Sequence, residues 1–140
     1  RKTVTPLEIP IELKNQKLIV EYDPKIVLNI DLNWTTEALI NILKNAHEHT
    51  KENGTIQIKA KDTVIYTEIE IIDTGEGIST TDLPHIFERF YHGKNSSSES
   101  VGIGLALAKT VLEKEKGDII VNSELGKGSI FELRFYKTIV

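Results

Sequence analysis

The chain contains neither cysteine nor methionine. Without cysteine there is no disulfide framework and no thiolate metal site, and the balance suits a reducing compartment. No apolar run approaches the ~20 residues that a membrane-spanning helix needs, and no signal peptide is visible. An excess of positive charge is missing too. The 17 Lys and Arg residues face 21 Asp and Glu, and the net charge of −4 leaves no basic surface for nucleic acid or anionic lipid. Proline is scarce, and Pro6, Pro10 and Pro24 all fall near the start. No internal repeat is present. Beginning at Arg1 without an initiator Met, the sequence reads as a piece of a longer protein. What it does have is ordinary globular composition: 140 residues, 39% hydrophobic and 27% charged. That length predicts one domain over 1–140, able to bury roughly two-thirds of its unfolded surface.

Along the chain, residues 7–13 and 17–22 alternate loosely and read as strands, and Ile26 to Ile30 reads as a short apolar strand. Asn33 reads as an N-cap, and Trp34 to Thr50 as a helix ending at the turn Asn53-Gly54. On that helix Thr35, Leu39, Ile42, Leu43, Ala46 and Thr50 form the core face. Two strands follow, the first with Ile56, Ile58 and Ala60 on one face. The second carries Ile65, Ile69 and Ile71 on one face, with Asp73 pointing the same way by the period of two. Lys61-Asp62-Thr63 is short enough to link them as a hairpin. Asp82 to Phe87 reads as a short helix, and the polar stretch Gly93 to Ser100 as a mobile segment. Helix resumes near Gly102 and runs to about Lys116, stopped by Gly117. Ile119 to Val121 and Ile130 to Phe135 are strands joined through Gly126-Lys127-Gly128. Strands in runs with two long helices between them favour an α/β layered sandwich over a doubly wound parallel sheet.

Three constellations carry chemistry. On the first long helix Asn41 and Asn45 lie one turn apart and point together, with Glu48 on the same stripe. Their amide oxygens are neutral hard ligands suited to Mg²⁺, which takes its other ligands from water and phosphate; for two asparagines taken alone, a solvated polar face is the preferred reading. Next, Asp73-Thr74-Gly75-Glu76-Gly77-Ile78 ends a buried strand. Asp accepts hydrogen bonds and can hold an amino group such as that of adenine, while the glycines allow φ > 0 and close approach of a ligand. The alternative is an ordinary strand-ending turn. Finally, Gly102-Ile103-Gly104-Leu105-Ala106-Leu107-Ala108 opens a helix whose free N–H groups and dipole suit phosphate. A dinucleotide fingerprint is excluded there, because the third glycine is missing and a Ser-rich stretch precedes it. No P-loop sequence occurs.

The order of these signals, with Ile86-Phe87-Glu88-Arg89-Phe90-Tyr91 between the last two, resembles the N, G1, F and G2 boxes of the ATP-binding catalytic domain of sensor histidine kinases. Gyrase, Hsp90 and MutL ATPases belong to the same superfamily. The resemblance runs from about Asp31-Leu32-Asn33-Trp34 to the closing strand. It implies a Bergerat ATP-binding fold: a two-layer α/β (α+β) sandwich with a mixed, largely antiparallel sheet on about three helices. It further implies that Asn45 coordinates Mg²⁺, with Asn41 supporting the metal or the phosphates. Asp73 would bind the adenine amino group, Gly75 and Gly77 would shape that wall, and Ile78 would pack on the base. Gly102, Gly104 and Leu105 would meet the phosphates, 91–101 would form the ATP lid, and Lys94 would be a phosphate contact. His49 stands where relatives often have Tyr beside the nucleotide, and Ser129 stands near the adenine. Phe87 and Phe90 are either core aromatics anchoring the lid or catalytic participants. Arg89 would reach a phosphate or the partner domain; it and Asn41 are the candidates for a catalytic role.

Two departures bear on mechanism. Hydrolytic relatives carry a general-base Glu where this chain has Asn41, which argues against hydrolysis and for transfer to a good nucleophile. Glu48 replaces a Lys or Arg facing phosphate, which predicts weaker affinity. The resemblance implies ATP and Mg²⁺ as cofactors. The implied partners are a separate dimerisation domain bearing the acceptor histidine, and a response regulator; nucleic acid and direct membrane contact are not expected. It also implies a cytoplasmic domain of a membrane-anchored bacterial sensor kinase. None of His47, His49, His85 or His92 lies in a phosphoacceptor pattern. An anti-sigma-factor serine kinase of the same fold and a nucleotide-binding pseudokinase scaffold are the alternatives.

Overall fold

The computed structural model describes residues 7–22, 32–88 and 104–137. The strand expected over Ile26 to Ile30, the polar stretch 93–100, Phe90, and the site candidates Arg89, Lys94 and Gly102 lie outside them.

The first element corrects the sequence reading. Glu8–Leu13 is a helix, α1, rather than a strand. Pro10 sits in its first turn, where the missing N–H would have had no helical partner. Leu7 and Ile11, four residues apart, are buried, whereas Ile9 and Leu13 are 68% and 78% exposed. Both spacings occur among these apolar positions, and packing selects the helical one. Strand β1 (Lys17–Glu21) follows.

Helix α2 covers Leu32–His49. Asn33 therefore lies inside the helix and is not its N-cap. Thr35, Ala38, Ile42, Leu43 and Ala46 are buried, with Leu39 packed against them. Strands β2 (Thr55–Asp62) and β3 (Tyr66–Asp73) form a hairpin whose turn lies at 63–65. The Thr63 hydroxyl accepts from the Tyr66 N–H at 3.0 Å and closes that turn. Ile65 consequently sits at the turn, 64% exposed, and Thr67 takes its expected place on the buried face. A short 3₁₀ turn at Leu83–His85 is the helical part of the segment expected over 82–87.

Helix α3 (Gly104–Lys114) ends earlier than the sequence predicts. The left-handed residue after it is Lys116, with φ 56°, not Gly117. Gly117 instead opens strand β4 (Gly117–Glu124), where a Cβ would lie 2.5 Å from the Arg134 carbonyl oxygen. Strand β5 (Gly128–Tyr136) completes the sheet.

The strand order is β1-β2-β3-β5-β4, with β1 parallel to β2 and every other pair antiparallel. This is the mixed, largely antiparallel sheet expected. Helix α2 packs on α3 and β3, and α3 packs on β4. The core between helices and sheet is built on Ile56, Ile71, Phe131 and Leu133 from the strands and Ile42, Leu43 and Leu112 from the helices. Because paired residues share a face, the opposite face is set by Lys61, Glu68, Arg134 and Asp118 in register. There Glu68 accepts from Arg134 at 3.0 Å and pairs with Lys61 at 3.0 Å, and the Arg134 guanidinium lies 4.7 Å from the Tyr66 ring centre. A charged, aromatic face of this kind needs no second helical layer, so the sandwich has two layers.

Candidate functional site

One row of residues crosses the inner face at the end of the sheet: Leu18, Ile56, Asp73, Ser129 and Ser123, each paired with the next. The row places Asp73, the last residue of β3, directly opposite Ser129. Asp73 is only 5% exposed. Burial pushes its carboxyl above the ordinary carboxylate range; the backbone N–H groups of Gly75 and Ser129 and the neighbouring His49 pull it down, and burial wins. Gly75 N–H donates to Asp73 Oδ1 at 2.9 Å. A carboxylate held out of water in this way gains from any further donor that reaches it.

The loop after Asp73 is fixed on three sides. Thr74 N–H donates to the Thr55 carbonyl at 3.1 Å, and Thr55 N–H donates back to the Thr74 hydroxyl at 2.9 Å. Glu76 N–H donates to the His49 carbonyl at 3.2 Å, and Gly126 N–H donates to the Glu76 carbonyl at 2.9 Å. Ile78 N–H donates to Ser123 Oγ at 2.7 Å, and Ser123 Oγ lies 2.8 Å from Ser129 Oγ. The glycines are explained by these protein contacts. A Cβ on Gly75 would strike the His49 carbonyl, one on Gly77 the Glu124 carbonyl, and one on Gly128 the Asp73 carbonyl; Gly77 and Gly128 also have φ of 76° and 124°. The sequence reading gave Gly75 and Gly77 for φ > 0 and close approach of a ligand; Gly77 does take a positive φ, and the protein's own backbone also crowds both positions.

Helix α2 supplies the other side. Asn41, Asn45 and Glu48 are half-buried on their shared stripe, and His49 stands one turn beyond Asn45. His49 Nδ1 donates to Glu76 Oε1 at 2.6 Å. The carbonyls that the end of α2 leaves without helical partners are satisfied from elsewhere. Gln16 Nε2 donates to the Thr50 carbonyl at 2.7 Å and to the His47 carbonyl at 3.0 Å. Lys14 Nζ reaches the carbonyls of His47 at 3.2 Å and Glu48 at 3.4 Å, a cation at the negative end of the helix dipole. Gln16 Oε1 accepts from His47 Nδ1 at 2.7 Å. Burial and the Lys14 charge hold the His47 pKa below its ordinary value, against the opposing pull of Glu48.

Gly104 is the first residue of α3, and Leu105 is half-buried against the core. Phe87 packs edge-on to Phe131, ring centres 6.5 Å apart, with Lys109 Nζ 5.4 Å from its ring centre. That geometry is core anchoring, one of the two roles considered for it. Among the described residues no group of three or more His, Cys, Asp or Glu could hold a metal. The Asn41 and Asn45 amides, one turn apart and half-buried, fit the other kind of magnesium site, in which phosphate and water supply most of the ligands. Sequence reasoning missed Ser123, Glu76 as a side chain, and Gln16. Only Ser123 carried a signal, since the alternation of Ile119 and Val121 in β4 places it on the inner face.

The site is thus a buried acid at the end of a central strand, walled by a glycine-bearing loop that is held on the end of α2, in a domain whose class the comparisons with known proteins give as the histidine-kinase catalytic type. The sequence matches the family described as "Histidine kinase-, DNA gyrase B-, and HSP90-like ATPase" over residues 30–139, and the chain belongs to that family. It is 33% identical over 132 residues to sensor histidine kinase YclK of Bacillus subtilis (strain 168), covering 91% of this chain and 28% of that protein. Sensor protein KdpD of Clostridium acetobutylicum is 34% identical over 128 residues, covering 89% of this chain and 14% of that one. The chain thus spans under a third of the length of these relatives. Among solved structures, the nucleotide-free catalytic domain of histidine kinase ThkA matches with a TM-score of 0.85 at 26% identity, over 99% of this chain and 92% of that one. The fold is that of histidine-kinase catalytic domains. ThkA in complex with response regulator protein TrrA matches with a TM-score of 0.80 at 24% identity, over 99% of this chain and 39% of that one.

Proposed function

We propose that this chain binds ATP with Mg²⁺ and donates the γ-phosphoryl group to a histidine on a separate dimerisation domain, for relay to a response-regulator aspartate. The observation that carries this reading is Asp73, a desolvated carboxylate 5% exposed and set opposite Ser129. Asp73 accepts the adenine amino group, Ile78 packs on the base, and Gly75 and Gly77 keep the wall thin. Asn45, with Asn41 beside it, holds Mg²⁺, whose chemistry there is neutralisation of phosphate charge. Gly104 and Leu105 at the start of α3, with Gly102 and Lys94 before them, meet the phosphates. Transfer then depends on positioning rather than on a base in this chain, in keeping with Asn41 standing where a hydrolytic relative has Glu.

The described histidines support an acceptor located elsewhere. His47, His49 and His85 each hold a hydrogen bond to a side chain of this domain, Gln16, Glu76 and Glu88 respectively. A dimerisation domain and a response regulator are the partners this implies, and the ThkA complex with its regulator is the parallel. The place of the domain is the cytoplasmic side of a membrane-anchored sensor kinase. Among the described residues no helix is long and apolar enough to cross a membrane. Calorimetric titration with ADP and Mg²⁺ tests the reading. The wild-type chain should bind, and Asp73→Asn should lose roughly 10- to 100-fold in affinity, the worth of a charge-assisted hydrogen bond. No binding at millimolar ADP, or equal binding by the variant, would refute it.

A further inference from the structure

Asp73 does not orient itself. Its Oδ1 is held by Gly75 N–H at 2.9 Å, and Gly75 is pressed so closely on the His49 carbonyl that no Cβ fits. The next residue, Glu76, is tied to the same point on α2 twice. Its N–H donates to the His49 carbonyl at 3.2 Å, and its carboxylate accepts from His49 Nδ1 at 2.6 Å. Its carbonyl accepts from Gly126 N–H at 2.9 Å, which joins the β4–β5 turn to the same anchor. The two side chains are 27% and 30% exposed, dry enough for the bond to matter and open enough to be altered without a core defect. A continuous path therefore runs from the last residue of α2 through Glu76 and Gly75 to the Asp73 carboxylate.

We propose that Glu76 is a positioning residue for base recognition: clamped on His49, it sets the direction of the Asp73 carboxylate and so the preference for a 6-aminopurine. The inference rests on the ATP reading above and adds to it a determinant of base choice. In the clamp, His49 Nδ1 is committed to Glu76. The ring's contribution beside the nucleotide is then indirect through Nδ1, and only Nε2 is left to act on a ligand. Because the loop is also held by backbone bonds, loss of the clamp blurs the aim of Asp73 without unfolding the loop.

The test is calorimetry on the 140-residue chain with ADP and with IDP, each with Mg²⁺; IDP carries a carbonyl where ADP carries the amino group. Glu76→Ala should lose roughly tenfold in ADP affinity, the scale of one charge-assisted hydrogen bond, and leave IDP affinity little changed, while His49→Ala, whose ring also stands beside the nucleotide, should lose at least as much ADP affinity. The double variant should bind ADP no worse than the weaker single one, since both remove the same interaction. Glu76→Gln, which still offers Nδ1 an amide oxygen, should recover most of the loss. Circular dichroism melts establish that each variant is folded. Equal losses for ADP and IDP in Glu76→Ala, or single losses that add in the double variant, would overturn the clamp. Failure of the wild type to bind ADP, or wild-type binding by Asp73→Asn, would overturn the nucleotide reading and the clamp with it. Those arms contain no Glu76 or His49 change, so the two failures are distinguishable.

Discussion

Replacing Gln16 by alanine should loosen the end of α2 on which the loop after Asp73 leans. Gln16 is 7% exposed. Its side chain bonds the Thr50 carbonyl at 2.7 Å, the His47 carbonyl at 3.0 Å and His47 Nδ1 at 2.7 Å. Alanine removes all three bonds. Each is worth roughly 0.5–1.5 kcal/mol net, and a buried polar group left unpaired costs about 1–3 kcal/mol. The His47 carbonyl keeps Lys14 at 3.2 Å, so the larger penalties fall on the Thr50 carbonyl and the His47 ring. The expected loss is about 2–4 kcal/mol. For a chain of this size that lowers Tm by roughly 4–16 °C, at about 2–4 °C per kcal/mol. Urea unfolding followed by circular dichroism should show a lower midpoint at unchanged m. Lys14→Ala should cost less, about 0.3–1 kcal/mol, because it removes a charge at the helix end rather than a buried partner. A Gln16→Ala loss below about 0.5 kcal/mol, the scale of an ordinary surface change, would refute the view that this residue caps the helix.

The electrostatics of two buried groups give predictions of known sign. The Asp73 carboxyl is raised by burial. The stability it contributes is present below its unfolded pKa and lost as pH rises through the folded value, so at neutral pH its charge opposes folding. Asp73→Asn should therefore melt higher than wild type at pH 7 while binding nucleotide worse, with the gap closing below about pH 4; a lower melting temperature would contradict this. The His47 value is lowered by burial and by Lys14. Its contribution is present above the unfolded value, about 6.5, and is lost as pH falls through the folded one. The urea midpoint should drop on acidification from pH 7, and less so in His47→Asn; parallel curves would count against it. Gly128→Ala must place a Cβ against the Asp73 carbonyl at a φ of 124°. It should cost at least about 2 kcal/mol, measured by urea unfolding, and a neutral effect would mean the turn relaxes freely.

Much of the fold was legible because burial is written into short-range periodicity. The core face of α2 and the inner faces of β2 and β3 follow from spacings of 3.6 and 2, and Asp73 falls on the inner face by the same rule. The misreadings share a cause. Residues 7–13 satisfy both periods, and Lys116 and Gly117 both stand at the end of α3. In each case local preference offers two answers that differ little in energy, and contacts far along the chain choose between them. Ile65 was misplaced because a period of two cannot say where the strand stops and the turn begins.

The sequence by itself determined the chemistry: an acid after a buried strand, glycines around it, paired asparagines on a helix and a glycine-opened second helix. Their order sufficed to define the family. Only the tertiary structure decided what holds them in place. Ser123 reaches Ile78 across 45 residues, Glu76 reaches His49 across 27, and Gln16 reaches Thr50 across 34. The glycines of the loop, which the sequence offered to a ligand, are required first by backbone from α2 and the β4–β5 turn. The division has a physical reason. Periodicity is set by each residue's own neighbours, whereas hydrogen-bond partners and steric exclusions are set by whichever segments the core brings to the same place.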